Sequence, residues 1–438
     1  MLYSMHEMTR LALTPWRAAA NASRRVLQAP WNPMGETLAG RTAAAAADLF
    51  ESVTRRYGKP EWNLPTTEID GKSVAVTPHN VWESPWAGLT HFKREGVKAG
   101  DPKVLLVAPM SGHFATLLRG TVEAFLPDHE VYITDWTDAR MVPLTEGRFD
   151  LNDYIDHVRA MITEIGPDCH VVAVCQPGPL VLSAIALMAE DKDKARPATM
   201  TFMGSPIDAR RSPTVPNKLA EERPFEWFAN NAVHTVPPPY PGMMRRVYPG
   251  FLQLAGFMNM NWDKHVDAHW QYFSDLVEGD GEPVEKHREF YDEYLSVMDL
   301  TEEFYLQTIK QVFQEHCLPR GELMHRGRRV DPSKIRDVAL MTVEGERDDI
   351  SGIGQTQAAH DLCSNIPESM RIDWVQPKRD RAEDESLLSR AREDGRQGAQ
   401  ASRLTDRSVT HEKSPGLSRG FSRSRGASRR AIRRQARR

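Results

Sequence analysis

Four cysteines in 438 residues, with no CxxC pair among them, are too few for a disulfide scaffold and give no zinc-ligand spacing. Long hydrophobic runs are missing too. No stretch approaches the roughly 18 apolar residues of a membrane-spanning helix, and Met1 to Arg17 lacks the apolar centre of a secretory signal. These absences point to a reducing, cytoplasmic setting with no transmembrane segment. Charge of one sign is scarce overall, at a formal −4, but it is unevenly spread. From Lys378 onward there are 18 Lys/Arg against 8 Asp/Glu, so the first 377 residues carry −14 and the rest +10. An acidic body of that kind is not expected to bind nucleic acid. The basic end has one Phe and no Trp or Tyr on which bases could stack.

What is present is strand–helix alternation. Residues up to about Tyr57 read as helices, and Thr67–Val76 as strand, Asp-Gly turn, strand. Val104–Ala108, Glu130–Trp136, His170–Val174 and Thr199–Met203 read as strands. A helix over Leu117–Leu126 and another with apolar Leu151, Tyr154, Ile155, Val158, Met161, Ile162 and Ile165 fall between them. This grammar implies a mostly parallel sheet covered on both faces. It stops near Asp208, where an aromatic- and Pro-rich, mainly helical stretch runs to about Val330. Sheet grammar resumes with Val338–Val343, a helix Ile353–Cys363 and a strand Met370–Val375.

The chemistry is expected where the β-branched run ending at Val174 meets Cys175, Gln176-Pro177-Gly178-Pro179 and the apolar helix that follows. A nucleophile at a sharp strand-to-helix turn is the elbow of an α/β-hydrolase, here with a thiol as nucleophile. Pro177 and Pro179 fit a first helical turn, which has no N–H partner to lose. The helix N-terminus is expected to favour the thiolate. The Gln176 N–H is a candidate oxyanion donor, and Met110 and Ser111 are the second candidates through their backbone amides. His113 in that loop is read as shaping it. Asp348, in the loop Glu344–Ile350 after a late strand, is the candidate acid in preference to Asp349.

Ala108–Arg119, Val131–Trp136, Val174–Pro179 and Glu344–Ile350 together resemble the intracellular polyhydroxyalkanoate (poly-3-hydroxybutyrate) depolymerases, cysteine-type α/β-hydrolases, over roughly residues 1–377. The resemblance implies an α/β-hydrolase fold with a helical lid, and hydrolysis or thiolysis of ester bonds in stored polymer. It implies Cys175 as nucleophile and Asp348 as triad acid, no metal or organic cofactor, a polyhydroxyalkanoate granule or oligomer as partner and CoA as an alternative acyl acceptor. A polyester synthase-like acyltransferase and a non-catalytic granule-binding protein are the competing readings.

The chain departs from that family at its end. The family places its triad histidine just after the last strand, whereas here Gln376-Pro377-Lys378 is followed by Arg379-Asp380-Arg381; beyond Asp348 only His360 and His411 occur. The change to Arg, Ser, Ala and Gly at Lys378 suggests a shifted reading frame. The expected organisation is N-terminal helices and hairpin (1–98), first half of the core (99–207), helical lid (208–335), second half of the core (336–377) and a disordered Arg/Ser-rich tail (378–438).

Overall fold

The computed structural model describes residues 1–97 and 100–377. The expected tail, with His411 and the suggested frame shift, lies outside them. The core is one nine-stranded sheet: β1 (Thr66–Ile69), β2 (Lys72–Glu83), β3 (Ala87–Arg94), β4 (Lys103–Val107), β5 (Glu130–Trp136), β6 (His170–Val174), β7 (Thr199–Met203), β8 (Ala339–Gly345) and β9 (Arg371–Gln376). Their spatial order is β1-β2-β3-β5-β4-β6-β7-β8-β9. Pairs from β1 to the β3–β5 contact are antiparallel, and every pair from β5 to β9 is parallel. Central strands β4, β6, β7 and β8 are covered on both faces, which is why they read as continuous apolar runs. This is the α/β-hydrolase arrangement, and it places the loops after β4, β6 and β8 along one carboxyl edge.

The Asp-Gly hairpin closes through Asp70 (φ +50°) and Gly71 (φ +74°), the left-handed pair that a two-residue turn requires. Expected alongside the N-terminal helices, it is the edge of the core sheet, because β2 continues to Glu83 and pairs with β3.

Helices α1 (Leu2–Leu27) and α2 (Leu38–Thr54) precede the sheet, and α3 (Arg119–Phe125), α4 (Leu151–Ile165) and α5 (Gly178–Glu190) cover it. Asp150 accepts the Asn152 and Asp153 amides while Asp153 returns a bond to the Asp150 N–H, fixing the start of α4. All seven of its expected apolar positions are buried. The helix expected over Leu117–Leu126 begins as a tight 3₁₀ turn at Ala115–Leu118 before α3.

The insert holds α6 (Val215–Glu222), α7 (Phe225–Asn231), α8 (Gly250–Met260), α9 (Trp262–Glu278), α10 (Gly281–Tyr294) and α11 (Glu302–Gln307), with short strands between them. α1 belongs to this layer. The Tyr3 hydroxyl donates to Asp299 Oδ2 (2.6 Å), and the other Asp299 oxygen accepts the Gly250 N–H (2.9 Å). Asp299 N–H donates to Asp138 Oδ1 (3.1 Å), and Arg140 pairs with Asp138 Oδ2 (2.7 Å). Burial pushes both carboxyls above their ordinary range, and the Asp299 charge pushes Asp138 further.

Of the helix expected over Ile353–Cys363 only α12 (Ala358–Leu362) forms. The preceding residues are bent around Glu344, whose carboxylate accepts the N–H groups of Gly354 (2.8 Å), Thr356 (2.7 Å) and Gln357 (3.0 Å).

Candidate active site

Cys175 follows β6 directly and adopts φ +67°, a left-handed backbone that side chains other than glycine rarely take. Strain of this kind persists only when neighbours hold it. One holder is the Cys175 N–H, which donates to the Met203 carbonyl at the end of β7 (2.7 Å). Another is the packing at Gly178, where a Cβ would stand 2.4 Å from Ser205 Cβ. The close approach that an elbow needs therefore falls three residues after the nucleophile, which explains why this turn carries proline at the second position and glycine at the third. Pro177 stays in helical conformation, and its carbonyl accepts the Leu180 and Val181 amides (3.0 and 2.9 Å), so the helix is primed at once.

The thiol differs from expectation. Cys175 is half-buried, at the edge of the core. Burial and the negative charge of Asp348 push the thiol up to about 11, against a smaller opposing pull from the Gln176 backbone N–H. Loss of solvation outweighs the helix terminus, and the resting group is the neutral thiol.

Asp348 is half-buried, with its N–H on the Gly345 carbonyl (3.2 Å). Its Oδ1 accepts the amides of Ile350 and Ser351 (2.9 Å each). Oδ2 faces Gly204, where a Cβ would lie 3.2 Å away. Asp349 is exposed. The structure thus brings Cys175, the Gln176 amide and Asp348 to one place at the edge of β6, β7 and β8.

The loop after β4 approaches through a side chain. Gln176 Oε1 accepts the Met110 N–H (3.2 Å), so this candidate oxyanion donor is occupied in the resting protein. Ser111 is the next residue of the turn. Gly112 has φ +110°, its carbonyl accepts the Met298 N–H (2.7 Å), and a Cβ there would meet Gln253 Oε1 of α8 at 2.7 Å. His113 donates Nε2–H to the Tyr294 carbonyl (3.0 Å), and burial lowers its pKa to about 4. It ties the loop to α10 as a neutral ring.

His360 is likewise held elsewhere. The Thr342 hydroxyl donates to Asp373 Oδ1 (2.6 Å), so Thr342 Oγ1 accepts from His360 Nε2 (2.9 Å). The position after β9 where a triad histidine was sought begins at Lys378, outside the described residues.

Three contributors were missed from the sequence. Thr356 accepts the Ser205 N–H (2.8 Å) and donates to the Ser205 carbonyl (3.0 Å), while its own N–H is held by Glu344. Glu344, Thr356 and Ser205 thereby connect the acid loop to the back of the elbow. The small pair Gly204-Ser205 after an apolar strand was the available signal.

Residues 204–380 match the family model described as PHB de-polymerase C-terminus. No curated protein matches the chain. Among solved structures, brefeldin A esterase, a bacterial homologue of human hormone sensitive lipase, is similar at 13% identity, covering 86% of this chain and 89% of that one (TM-score 0.40). A soluble variant of monoglyceride lipase from Saccharomyces cerevisiae is similar at 13% identity over 78% and 96% (TM-score 0.43). The thioesterase domain from the curacin biosynthetic pathway is similar at 8% identity over 76% and 99% (TM-score 0.37).

Proposed function

We propose that this α/β-hydrolase-fold chain, whose residues 204–380 match the PHB de-polymerase C-terminus model, belongs to that family and cleaves carboxylic ester bonds of polyhydroxyalkanoate through Cys175. The observation that carries the reading is the left-handed backbone of Cys175 between a parallel strand and a helix, with Asp348 beside the thiol.

In the proposed reaction Cys175 Sγ bonds to the ester carbonyl carbon while its proton passes to water, from which the leaving alkoxide later takes it back. The carbonyl π pair moves onto oxygen, held by the Gln176 N–H and by the Met110 or Ser111 N–H. Collapse expels the alkoxide of the next hydroxyacid unit, which takes up a proton, and leaves a thioester on Cys175. Water, or a CoA thiol, then attacks the thioester, releasing the acid or acyl-CoA and restoring the thiol. Asp348 would orient and charge-stabilise a base. No histidine occurs between His360 and His411, so turnover is expected to be slow by about 10²–10⁴-fold, the usual contribution of a general base. Granules of stored polymer in the cytoplasm are the proposed location.

The test is acid release from amorphous poly(3-hydroxybutyrate) by the purified chain and by Cys175→Ala. Slow release that disappears in the variant, with a thioester adduct of the chain found by mass spectrometry, supports the reading. Equal release from both overturns it. Binding to granules with no release from either favours the non-catalytic reading, for which the missing histidine speaks.

A further inference from the structure

Glu344 stands next to last in β8, after a run from Ala339 to Val343 that is buried throughout, and is itself only 2% exposed. A carboxylate in such a place is costly unless donors meet its oxygens. Three converge on it: the Thr356 and Gln357 amides on Oε1 and the Gly354 amide on Oε2. Gly354 takes φ +92°, which lets the chain fold back over the carboxylate before α12 begins. No other side chain would serve as well. A glutamine has one acceptor oxygen, so at this position its NH2 group would be set against an N–H that needs an acceptor.

The residue that those amides hold in place is Thr356, which is fully buried. Its hydroxyl clasps the backbone of Ser205 from both sides, accepting the N–H (2.8 Å) and donating to the carbonyl (3.0 Å). Ser205 ends the short segment Met203-Gly204-Ser205, and both members of the candidate pair bear on that segment. The Met203 carbonyl holds the Cys175 N–H, and Gly204 backs on Asp348 Oδ2. Ser205 itself packs against Gly178 of the elbow. The Gly204 N–H donates to the Val343 carbonyl (2.9 Å), one residue before Glu344. The segment is thus pinned to β8 by a backbone bond and, from the other side, by a clasp whose orientation Glu344 decides.

We propose that Glu344 is a positioning residue of the active site: acting through Thr356 and Ser205, its carboxylate sets the separation of Cys175 and Asp348. This rests on the reading of those two residues in the preceding subsection. The negative charge of Asp348 acts on the Cys175 thiol, and such an influence falls with distance, so it measures the separation.

The experiment alkylates Cys175 with iodoacetamide at about pH 8 in wild type, Glu344→Gln, Thr356→Val and Thr356→Ser, each with and without Asp348→Asn. The quantity read is the factor by which Asp348→Asn speeds labelling, with unlabelled Cys169 and Cys363 as the sign of a folded chain. Urea unfolding and acid release from amorphous poly(3-hydroxybutyrate) are followed on the same proteins. The expected factor is several-fold in wild type and in Thr356→Ser, which keeps the hydroxyl. It should shrink to about twofold or less in Glu344→Gln and in Thr356→Val, because the coupled pair has moved apart. An unaltered factor in either of those variants, however large the loss of stability, marks a purely structural role and overturns the proposal. So does equality of Thr356→Ser with Thr356→Val, or a wild type in which Asp348→Asn has no effect. Should Glu344→Gln not fold, as labelling of Cys169 and Cys363 would reveal, the contrast between Thr356→Val and Thr356→Ser decides the matter. A factor that collapses as expected, in a chain that releases no acid in any form, leaves the positioning role standing and removes the catalytic reading.

Discussion

The side-chain carbonyl of Gln176 sits on the backbone N–H of Met110, joining the elbow to the loop after β4. A backbone amide can only donate, so this contact orients the Gln176 amide with oxygen inward. Gln176→Ala frees the Met110 N–H and is expected to leave acylation by an activated ester equal to wild type or faster. Gln176→Glu places a carboxylate on the same amide beside the thiol and is expected to lower acylation at least tenfold, the scale on which an oxyanion donor matters being about 10²–10³. Burst kinetics with a p-nitrophenyl ester provide the check; identical bursts from both variants would exclude Met110 as a donor.

Alkylation of the thiol reports its surroundings. With the resting group pushed up to about 11, labelling of Cys175 should keep rising with pH well beyond the ordinary thiol range. Asp348→Asn removes the negative charge that helps hold the proton, so labelling at about pH 8 should accelerate several-fold. Burial pushes Cys169 and Cys363 up to about 12, and they should stay unlabelled in the folded chain. Mass spectrometry of the modified peptide distinguishes the sites. An unchanged rate in Asp348→Asn would separate the two residues electrostatically.

Gly178→Ala forces a methyl group against Ser205, at 2.4 Å from its Cβ in the present packing. A cost of about 1–3 kcal/mol in urea unfolding is expected, as for other overpacked cores. Adding Ser205→Gly should return part of it, because the two changes share one contact. Additive losses in the double variant would show that the elbow does not depend on this approach.

The buried pair Asp138 and Asp299 gives a pH signature. The folded state raises both carboxyls, so it holds their protons more tightly than the unfolded chain does. Their contribution to stability is present in acid and is lost as pH rises from the ordinary carboxylate range through the raised folded value. Asp138→Asn removes the share of that dependence that belongs to Asp138. Wild type minus variant stability should therefore be greater at about pH 4.5 than at about pH 7.5, read by chemical unfolding at each pH. A difference that is flat with pH would contradict the assignment.

The parallel half of the sheet was legible because β4, β6, β7 and β8 are buried on both faces and carry unbroken apolar runs. The seven apolar positions of α4 were legible because helix period and burial coincide. The hairpin's place in the sheet was not, since β2 contains Pro78 and is largely exposed, so nothing in its composition marks it as part of the core. The Ile353–Cys363 helix was overread because Glu344, at the end of β8, accepts the Gly354, Thr356 and Gln357 amides and holds the chain bent there. The sharp backbone turn at position 175 was legible from the abrupt change of composition after the strand. The state of its thiol was not, because partial burial and the charge of Asp348 arise from tertiary structure. Gln176 was read as a backbone donor alone, and its side-chain contact depends on a loop 66 residues earlier.

The hydrogen bond between Tyr3 and Asp299 spans 296 residues of chain. During synthesis the first helix leaves the ribosome long before Asp299 is made, while Asp48, Thr54 and Arg55, which take up Arg24, Arg17 and Arg10, follow it closely. At translation speeds of about 5–20 residues per second, that interval lasts on the order of 15–60 seconds. Chaperones that hold exposed amphipathic segments would meet this nascent chain early, and seating of its opening turn would be among the last events of folding.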